Sequence, residues 1–456
     1  MIRFFLFLFS VVFIPLAESQ HETGLIFKKE GSQKGYVLFA PLHSKTTYLI
    51  DKCGKVVHTW KSNYPPAQSV YLLPNGDLLR TANDSNKTFK GSGGGIELFD
   101  WNSNLKWSYK ISNALEVQHH DICPLPNGNI LVLVWEKKSR AQAIEMGRDP
   151  NILGDFVWSE KIVELKPKGK AGAELVWQWN LWDHMIQEFD STKKNYQVVS
   201  QHPEKVDINY YRFDDPDWFH FNSIVYNSEL DQILVSNRNY SEIFIIDHST
   251  TTLQAAGHNE GRYGQGGDLL FRYGNPRTWH HGDEKDQVLF GQHYPHWISK
   301  GLKDEGKILV FNNGYGRRSN NYSSLDLILP EISNQKYDIN KSSYQRLYSE
   351  KEQQVAGGTF FSMNVSSVQR LSSGNLLVCS GSTGRFCELN ENNEVVWLYI
   401  NPVSKNGISK RKQEPELNQV FRCTFFPPDY PAFRKRKLVA LKEIELESNY
   451  NCDADN

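Results

Sequence analysis

After the apolar stretch at its start, the chain has no segment long and apolar enough to cross a bilayer. Neither charge is in excess: 51 Lys and Arg face 52 Asp and Glu, for a formal net charge of −1. That balance removes the electrostatic argument for a nucleic-acid or anionic-membrane partner. There is no G-x-x-x-x-G-K-[ST] loop and no GxGxxG joining a strand to a helix, so a nucleotide cofactor has no evident seat. The Gly-rich SGSTGRF (380–386) lies between two expected strands rather than opening a helix. Helical periodicity is scarce as well, and LWDHMIQEFDSTKKNY (181–196) is the one long helical-looking segment, expected as a surface excursion. Cysteines number only 6, an even set compatible with disulfides but with spacings that select no pairing.

The start, MIRFFLFLFSVVFIPLAES, has a basic Arg3, an apolar run from Phe4 to Leu16 and small residues Ala17 and Ser19 ahead of Gln20. This is the pattern of a secretory signal peptide over 1–19, which leads us to expect an exported mature chain, secreted or periplasmic, with no membrane anchor.

What the chain does have is aromatic residues, 13% of the total, and many short turn signals. LPNGDLLR (73–80), LPNGNILVLVW (125–135), ELDQILVSN (229–237), EGKILVFNN (305–313) and LSSGNLLVCSG (371–381) each join a tight turn to a short apolar strand. A second half-repeat of strand, turn and strand, often ending in Trp, follows each: IELFDWNSNLKWSY (96–109), IVELKPKGKAGAELVWQW (162–179), IFIIDHSTTTLQAAG (243–257), SSLDLILPE (323–331) and FCELNENNEVVWLY (386–399). YLIDKCGKVVHTW (48–60) supplies a sixth copy. Six such units predict an all-β, six-bladed β-propeller over residues 20–456 as one domain. A seven-bladed ring or a two-sheet sandwich is the fallback. NQVFRCTFFPPDYPAF (418–433) is expected to close the ring with the N-terminal strand.

The repeat register also selects candidate site residues. Counting back seven positions from Asn75, Asn127 and Ser373 gives Gln68, His120 and Ser366, and the same strand in the other two copies holds His220 and His293. The first strand of a propeller blade lines the central channel, so His120, His220 and His293 should converge on the axis. His119, His280, His281 and His296 lack this register and read as ordinary polar residues. Three imidazoles would suit a zinc-dependent hydrolase or lyase. A non-catalytic binding propeller with a hydrated polar column is the other alternative.

Several stretches together resemble the arylsulfotransferases that need no nucleotide sulfate donor. They are QHHDICPLPNGNILVLVWE (118–136), WFHFNSIVYNSELDQILVSNRNYSEIFIIDHSTT (218–251), GGDLLFRYGNP (266–276), FGQHYPHWI (290–298) and FFSMNVSSVQRLSSGNLLVCSGSTGRFCELNENNEVVWLYINP (360–402). The resemblance implies a six-bladed propeller with no cofactor, in which a histidine is transiently sulfated. It implies an aryl sulfate donor and a phenolic acceptor. Carried over residue by residue, Gln-His makes His293 the nucleophile, His-x-Asn matches His220 and Asn222, and Arg238 matches the arginine, so that the resemblance implies a sulfuryl group held by His220, Asn222 and Arg238. His-Asp matches His120, with His119 one residue away leaving open which of the two faces the site.

Overall fold

Most half-repeats read from the sequence fold as hairpins, and these pair into antiparallel sheets that form the six blades of a propeller. The computed structural model describes residues 22–89, 93–318, 320–334, 336–349, 361–448 and Cys452, so the expected signal peptide over 1–19 lies outside the described residues.

Blade 1 takes its innermost strand from the far end of the chain: Val420–Phe426 pairs with Tyr36–Pro41, followed outward by Thr46–Asp51 and Val56–Lys61. The expected C-terminal closing strand is therefore present, but its partner is Tyr36–Pro41 rather than the N-terminal strand Gly24–Lys28. The innermost strands of blades 2 to 6 are Val70–Leu72, Glu116–Pro124, Phe221–Asn227, His293–Trp297 and Ser367–Arg370. The N-terminal strand Gly24–Lys28 pairs with Val395–Ile400 as a fifth strand of blade 6, covering that outer edge. A disulfide between Cys53 and Cys452 ties the C-terminal tail to blade 1, while Cys123, Cys379, Cys387 and Cys423 are free thiols.

Strand alternation turns one face of each sheet toward each neighbouring blade, so apolar cores form between blades. Six such clusters close the ring. Leu131, Phe219 and Ile233 fill the gap between blades 3 and 4, for example, and Phe39, Phe386 and Trp397 that between blades 6 and 1. The Trp that recurs at the end of the second half-repeat is an inter-blade latch. The indole N–H of Trp60 donates to Asp100 O (3.1 Å), Trp107 to Gly172 O (2.8 Å), Trp179 to Gly267 O (2.7 Å) and Trp397 to Lys52 O (2.8 Å), each on the next blade. A buried Trp removes ~150–250 Å² from water, roughly 4–6 kcal/mol of apolar burial before entropy is charged.

Two local expectations fail. The segment 181–196 is not an α-helix: Leu181–His184 is a single 3-10 turn, and Met185–Ile186 pairs in parallel with Val206–Asp207. The buried His184 ring contacts Asp268 Oδ1 (2.7 Å) and Ala255 O (2.9 Å), which draws the segment onto blade 4. In blade 4 the second half-repeat is not a simple hairpin. Thr251 and Gln254 form a capping box that starts a short helix, Thr252–Ala255, and the fourth strand is delayed to Phe271–Tyr273.

Candidate active site

His120, His220 and Arg238 gather with His293 at the end of the channel where the inner strands begin. The His120 and His220 rings meet edge to face with centroids 4.5 Å apart, and the backbone N–H of Arg238 donates to His220 O (3.0 Å). Gln68, His120 and Ser366, the positions counted back from the turns, all have positive φ, as do His220 and, beside His293, Tyr294. The backbone thus reverses at the same place in five blades. These left-handed residues cost roughly 1–3 kcal/mol each and are tolerated where the surroundings over-determine them, as at ligand sites.

At His120 this reversal (φ 49°) breaks strand alternation. Both adjacent rings therefore fall on one line instead of facing opposite sides, with His120 in front and the fully buried His119 behind it. Their Nδ1 atoms are 3.0 Å apart, and His119 Nε2 is 3.0 Å from the buried carboxylate of Glu160.

His293 is 3% exposed. Its Nδ1 lies 2.7 Å from Asn313 Oδ1 and 3.1 Å from Gly291 O. Asn313 Nδ2 donates to Ser362 O (2.7 Å) and Val365 O (3.0 Å), which fixes the amide so that its oxygen faces the imidazole. An amide oxygen and a carbonyl oxygen only accept, so Nδ1 must carry the proton and Nε2 the free lone pair. Burial first, then the Arg238 charge, pushes the His293 pKa down to about 3. The His120 pKa is also lowered, by burial and then by His220. Neutral imidazole is the stable form of both.

Asn222, which the resemblance puts at the sulfuryl group, also makes a contact that serves the fold. One of its amide hydrogens goes to Gln292 O (2.8 Å), while Oδ1 has no partner among the described residues. Its observed contact ties the His220 strand to the His293 strand. Gln292 completes that tie, donating through Nε2 to Ser236 Oγ, Asn237 O and Glu242 O of blade 4. Arg238 pairs with no carboxylate among the described residues; one guanidinium N–H reaches Asn239 Oδ1 (3.2 Å). His220 Nδ1 is 2.5 Å from Asp217 Oδ2, which orients the ring and leaves Nε2 toward the cluster.

Below the histidines the axis is plugged. Arg422 of blade 1 donates to Asp121 of blade 3 (2.5 Å) and to the Tyr71 hydroxyl (2.8 Å), and Tyr71 donates to Asp121 (2.8 Å). The Tyr294 ring lies over the guanidinium at 3.8 Å. His296 belongs beyond this plug. With Tyr294 and Trp297 it lines a separate cavity of about 400 Å³ against Val225–Glu229 of blade 4, at the far end of that inner strand from His220. Its Nδ1–H donates to Tyr294 O (3.2 Å), and burial lowers its pKa to about 4.

Asn313, Asp217 and Glu160 escaped the sequence reading. A signal existed for Asn313: SNRNY (236–240) and FNNGY (311–315) align, which places Asn313 in blade 5 where Arg238 stands in blade 4. Among the described residues, the one triad whose possible metal ligands converge within 4.8 Å is His184, His258 and Asp268, away from the channel histidines.

Ring, channel plug and histidine–arginine cluster define a propeller with a polar site at one mouth of its axis. The chain belongs to the arylsulfotransferase (ASST) family, whose model matches residues 17–421. It is accordingly a sulfotransferase acting on small molecules. No curated protein matches. Among solved structures it is similar to a protein of unknown function from Bacteroides caccae (12% identity, 87% of this chain and 99% of that one, TM-score 0.46). It is also similar to the periplasmic gluconolactonase of Pseudomonas aeruginosa (10% identity, 86% and 99%, TM-score 0.40) and to virginiamycin B lyase from Staphylococcus aureus (10% identity, 82% and 87%, TM-score 0.36). Similarity at this level carries no functional inference. No helix among the described residues is long and apolar enough to span a membrane.

Proposed function

We propose that the protein is an exported aryl-sulfate sulfotransferase that moves a sulfuryl group from an aryl sulfate to a phenolic acceptor through a sulfated His293. The observation that carries this reading is the locked tautomer of His293, with Nδ1–H held by Asn313 and Nε2 left as a nucleophile. Sulfuryl transfer, like phosphoryl transfer, moves a group whose charge sits on peripheral oxygens, so catalysis consists mainly of positioning and cationic stabilisation. Arg238 offers a planar fork of donors that no carboxylate among the described residues occupies. His220 is oriented by Asp217, and Asn222 holds the two strands in register. His293 Nε2 attacks sulfur, the aryl oxide leaves with the S–O electron pair, and the acceptor oxygen later displaces His293. His120 exchanges the proton with the leaving and entering oxygens. The covalent intermediate implies ping-pong kinetics. Export is supported by the Cys53–Cys452 disulfide, a bond that persists in oxidising compartments.

Turnover of a chromogenic aryl sulfate, with and without added phenol and with and without chelator, tests the reading. Acceptor-stimulated release insensitive to chelation is expected. Loss of activity on chelation with recovery on adding zinc would replace it with a metal-dependent reaction.

A further inference from the structure

The cluster contains a chain of three titratable side chains, of which the sulfuryl transfer as described uses His120 alone and leaves the buried His119 and Glu160 without a role. Glu160 Oε1 accepts from the Trp135 indole N–H (3.1 Å) and from the Phe221 backbone N–H (2.7 Å), both of which can only donate. Oε2 faces His119 Nε2 at 3.0 Å, with His119 and Glu160 side chains 0% and 1% exposed. His119 stacks flat on Trp135, with centroids 4.1 Å apart and planes 6° from parallel, so its ring cannot turn without losing that contact. Its Nδ1 then meets His120 Nδ1 at 3.0 Å. Two ring nitrogens at that distance share one hydrogen, since two lone pairs or two N–H groups would repel.

With His119 Nε2–H given to Glu160 and His120 kept neutral by burial, two arrangements remain. In the first, His120 Nδ1–H donates to His119 and His120 Nε2 carries a lone pair. In the second, His119 is an imidazolium paired with Glu160, its Nδ1–H donates to His120, and His120 Nε2 carries a hydrogen. The two differ by one proton. Resting on the sulfotransferase reading, we propose that Glu160, His119 and His120 form a proton relay that stores the phenolic proton on His119, outside the sulfuryl site.

The balance is as follows. The relay starts with the proton stored on His119. His293 Nε2 attacks sulfur and the S–O bond breaks. The aryl oxide takes the hydrogen from His120 Nε2, while the His119 Nδ1 hydrogen moves to His120 Nδ1. His293 keeps its own Nδ1–H toward Asn313. In the second half-reaction the acceptor phenol gives its proton to His120 Nε2, and the His120 Nδ1 hydrogen returns to His119. The acceptor oxygen bonds to sulfur as the S–N bond breaks, and its electron pair returns to His293. The groups facing His120 explain the need for storage. His220 and Arg238 disfavour a cation on His120 itself, and Asp121 is already neutralised by Arg422. Glu160 supplies the missing counter-charge one ring further back. His120 is the catalytic residue of this set; His119 and Glu160 are positioning residues that act through it.

Two measurements test the relay. Single-turnover release is followed for 4-nitrophenyl sulfate, whose oxide leaves readily, and for phenyl sulfate, whose oxide needs a proton. In Glu160→Gln and His119→Gln, phenol release should slow by ~100-fold, the usual worth of general acid catalysis, and nitrophenol release by less than about tenfold. Equal slowing of both would make the pair merely structural and overturn the proposal. In the unaltered enzyme, phenol release in mixtures of light and heavy water should show a curved dependence on deuterium fraction, from two hydrogens moving together. A linear dependence would also overturn it, and this measurement needs no variant to fold. The parent reading fails separately, if the unaltered enzyme gives no nitrophenol burst equal to the enzyme present.

Discussion

Replacing Asn313 by Ala removes the acceptor that fixes the His293 tautomer. In the proposed reaction the ring would acquire imidazolium character as sulfur bonds to Nε2, and the 2.7 Å bond from Nδ1–H to Asn313 Oδ1 would change from a neutral to a charge-assisted one. Such a change is worth roughly 1–2 kcal/mol in the transition state, or about 5- to 30-fold in rate. Free exchange with the wrong tautomer adds to this, whereas Gly291 O, at 3.1 Å from the same nitrogen, offers partial compensation. We expect kcat to fall by ~10- to 100-fold with KM little changed, since the interaction strengthens only in the transition state. Stability should fall as well, because Ser362 O and Val365 O lose the donors that join blade 5 to blade 6, at about 1–3 kcal/mol for each carbonyl left unsatisfied. The assay is steady-state transfer from a chromogenic donor, together with nitrogen NMR of histidine-labelled protein, which reports the tautomer of His293 directly. Activity within about twofold of the parent, or an Nε2-protonated His293 in the unaltered protein, would refute the reasoning.

Arg238→Lys keeps the charge but loses the fork, and should cost more in kcat/KM than an exposed Arg-to-Lys change; an unchanged kcat/KM would remove Arg238 from the sulfuryl site. Asp121→Asn leaves Arg422 buried without its counter-charge and should destabilise the fold by about 3–5 kcal/mol in urea unfolding; an unaltered midpoint would show that the plug does not hold the ring. His293 and His296 have folded pKa values of about 3 and about 4 against an ordinary 6.5, so the unfolded chain binds protons that the folded chain refuses. Their stability contribution is complete above about pH 6.5 and is lost as pH falls, at up to about 1.4 kcal/mol per pH unit for each. Unfolding free energies that stay flat between pH 7 and pH 5 would contradict this. Cys53→Ser opens the bond to the C-terminal tail and should cost about 2–4 kcal/mol, read as a lower Tm that matches the parent in reductant.

The propeller was legible because its signal repeats: tight turns before short apolar strands, and a terminal Trp that the structure uses as an inter-blade latch. The C-terminal closing strand lies outside that repeat, in NQVFRCTFFPPDYPAF (418–433). Segments whose form depends on tertiary bonds were not legible. Nothing local in 181–196 announces that His184 will bond to Asp268 and Ala255, and the Thr251–Gln254 capping box was overlooked within a strand pattern. At the site, counting back from the turns reached His120, and the same strand with a longer turn reached His220 and His293, near a backbone reversal that recurs in five blades. It did not reach the residues that set protonation. Asp217 lies three positions before His220, whereas Glu160 and Asn313 come from other strands and meet their histidines only through register. The contrast between His293 and His296 depends on the bulge around Tyr294, where the pairing of that strand shifts. Facing direction could not be counted across it.

The most direct test is to mix the protein with an aryl sulfate in the absence of acceptor, digest it without acid, and map the modified residue by mass spectrometry. One sulfuryl group on His293, within the peptide spanning 290–298, and its disappearance on adding phenol, is the expected result. A sulfuryl group on His296, His220 or His120, or turnover with no modified peptide, would contradict the assignment of His293 as the nucleophile.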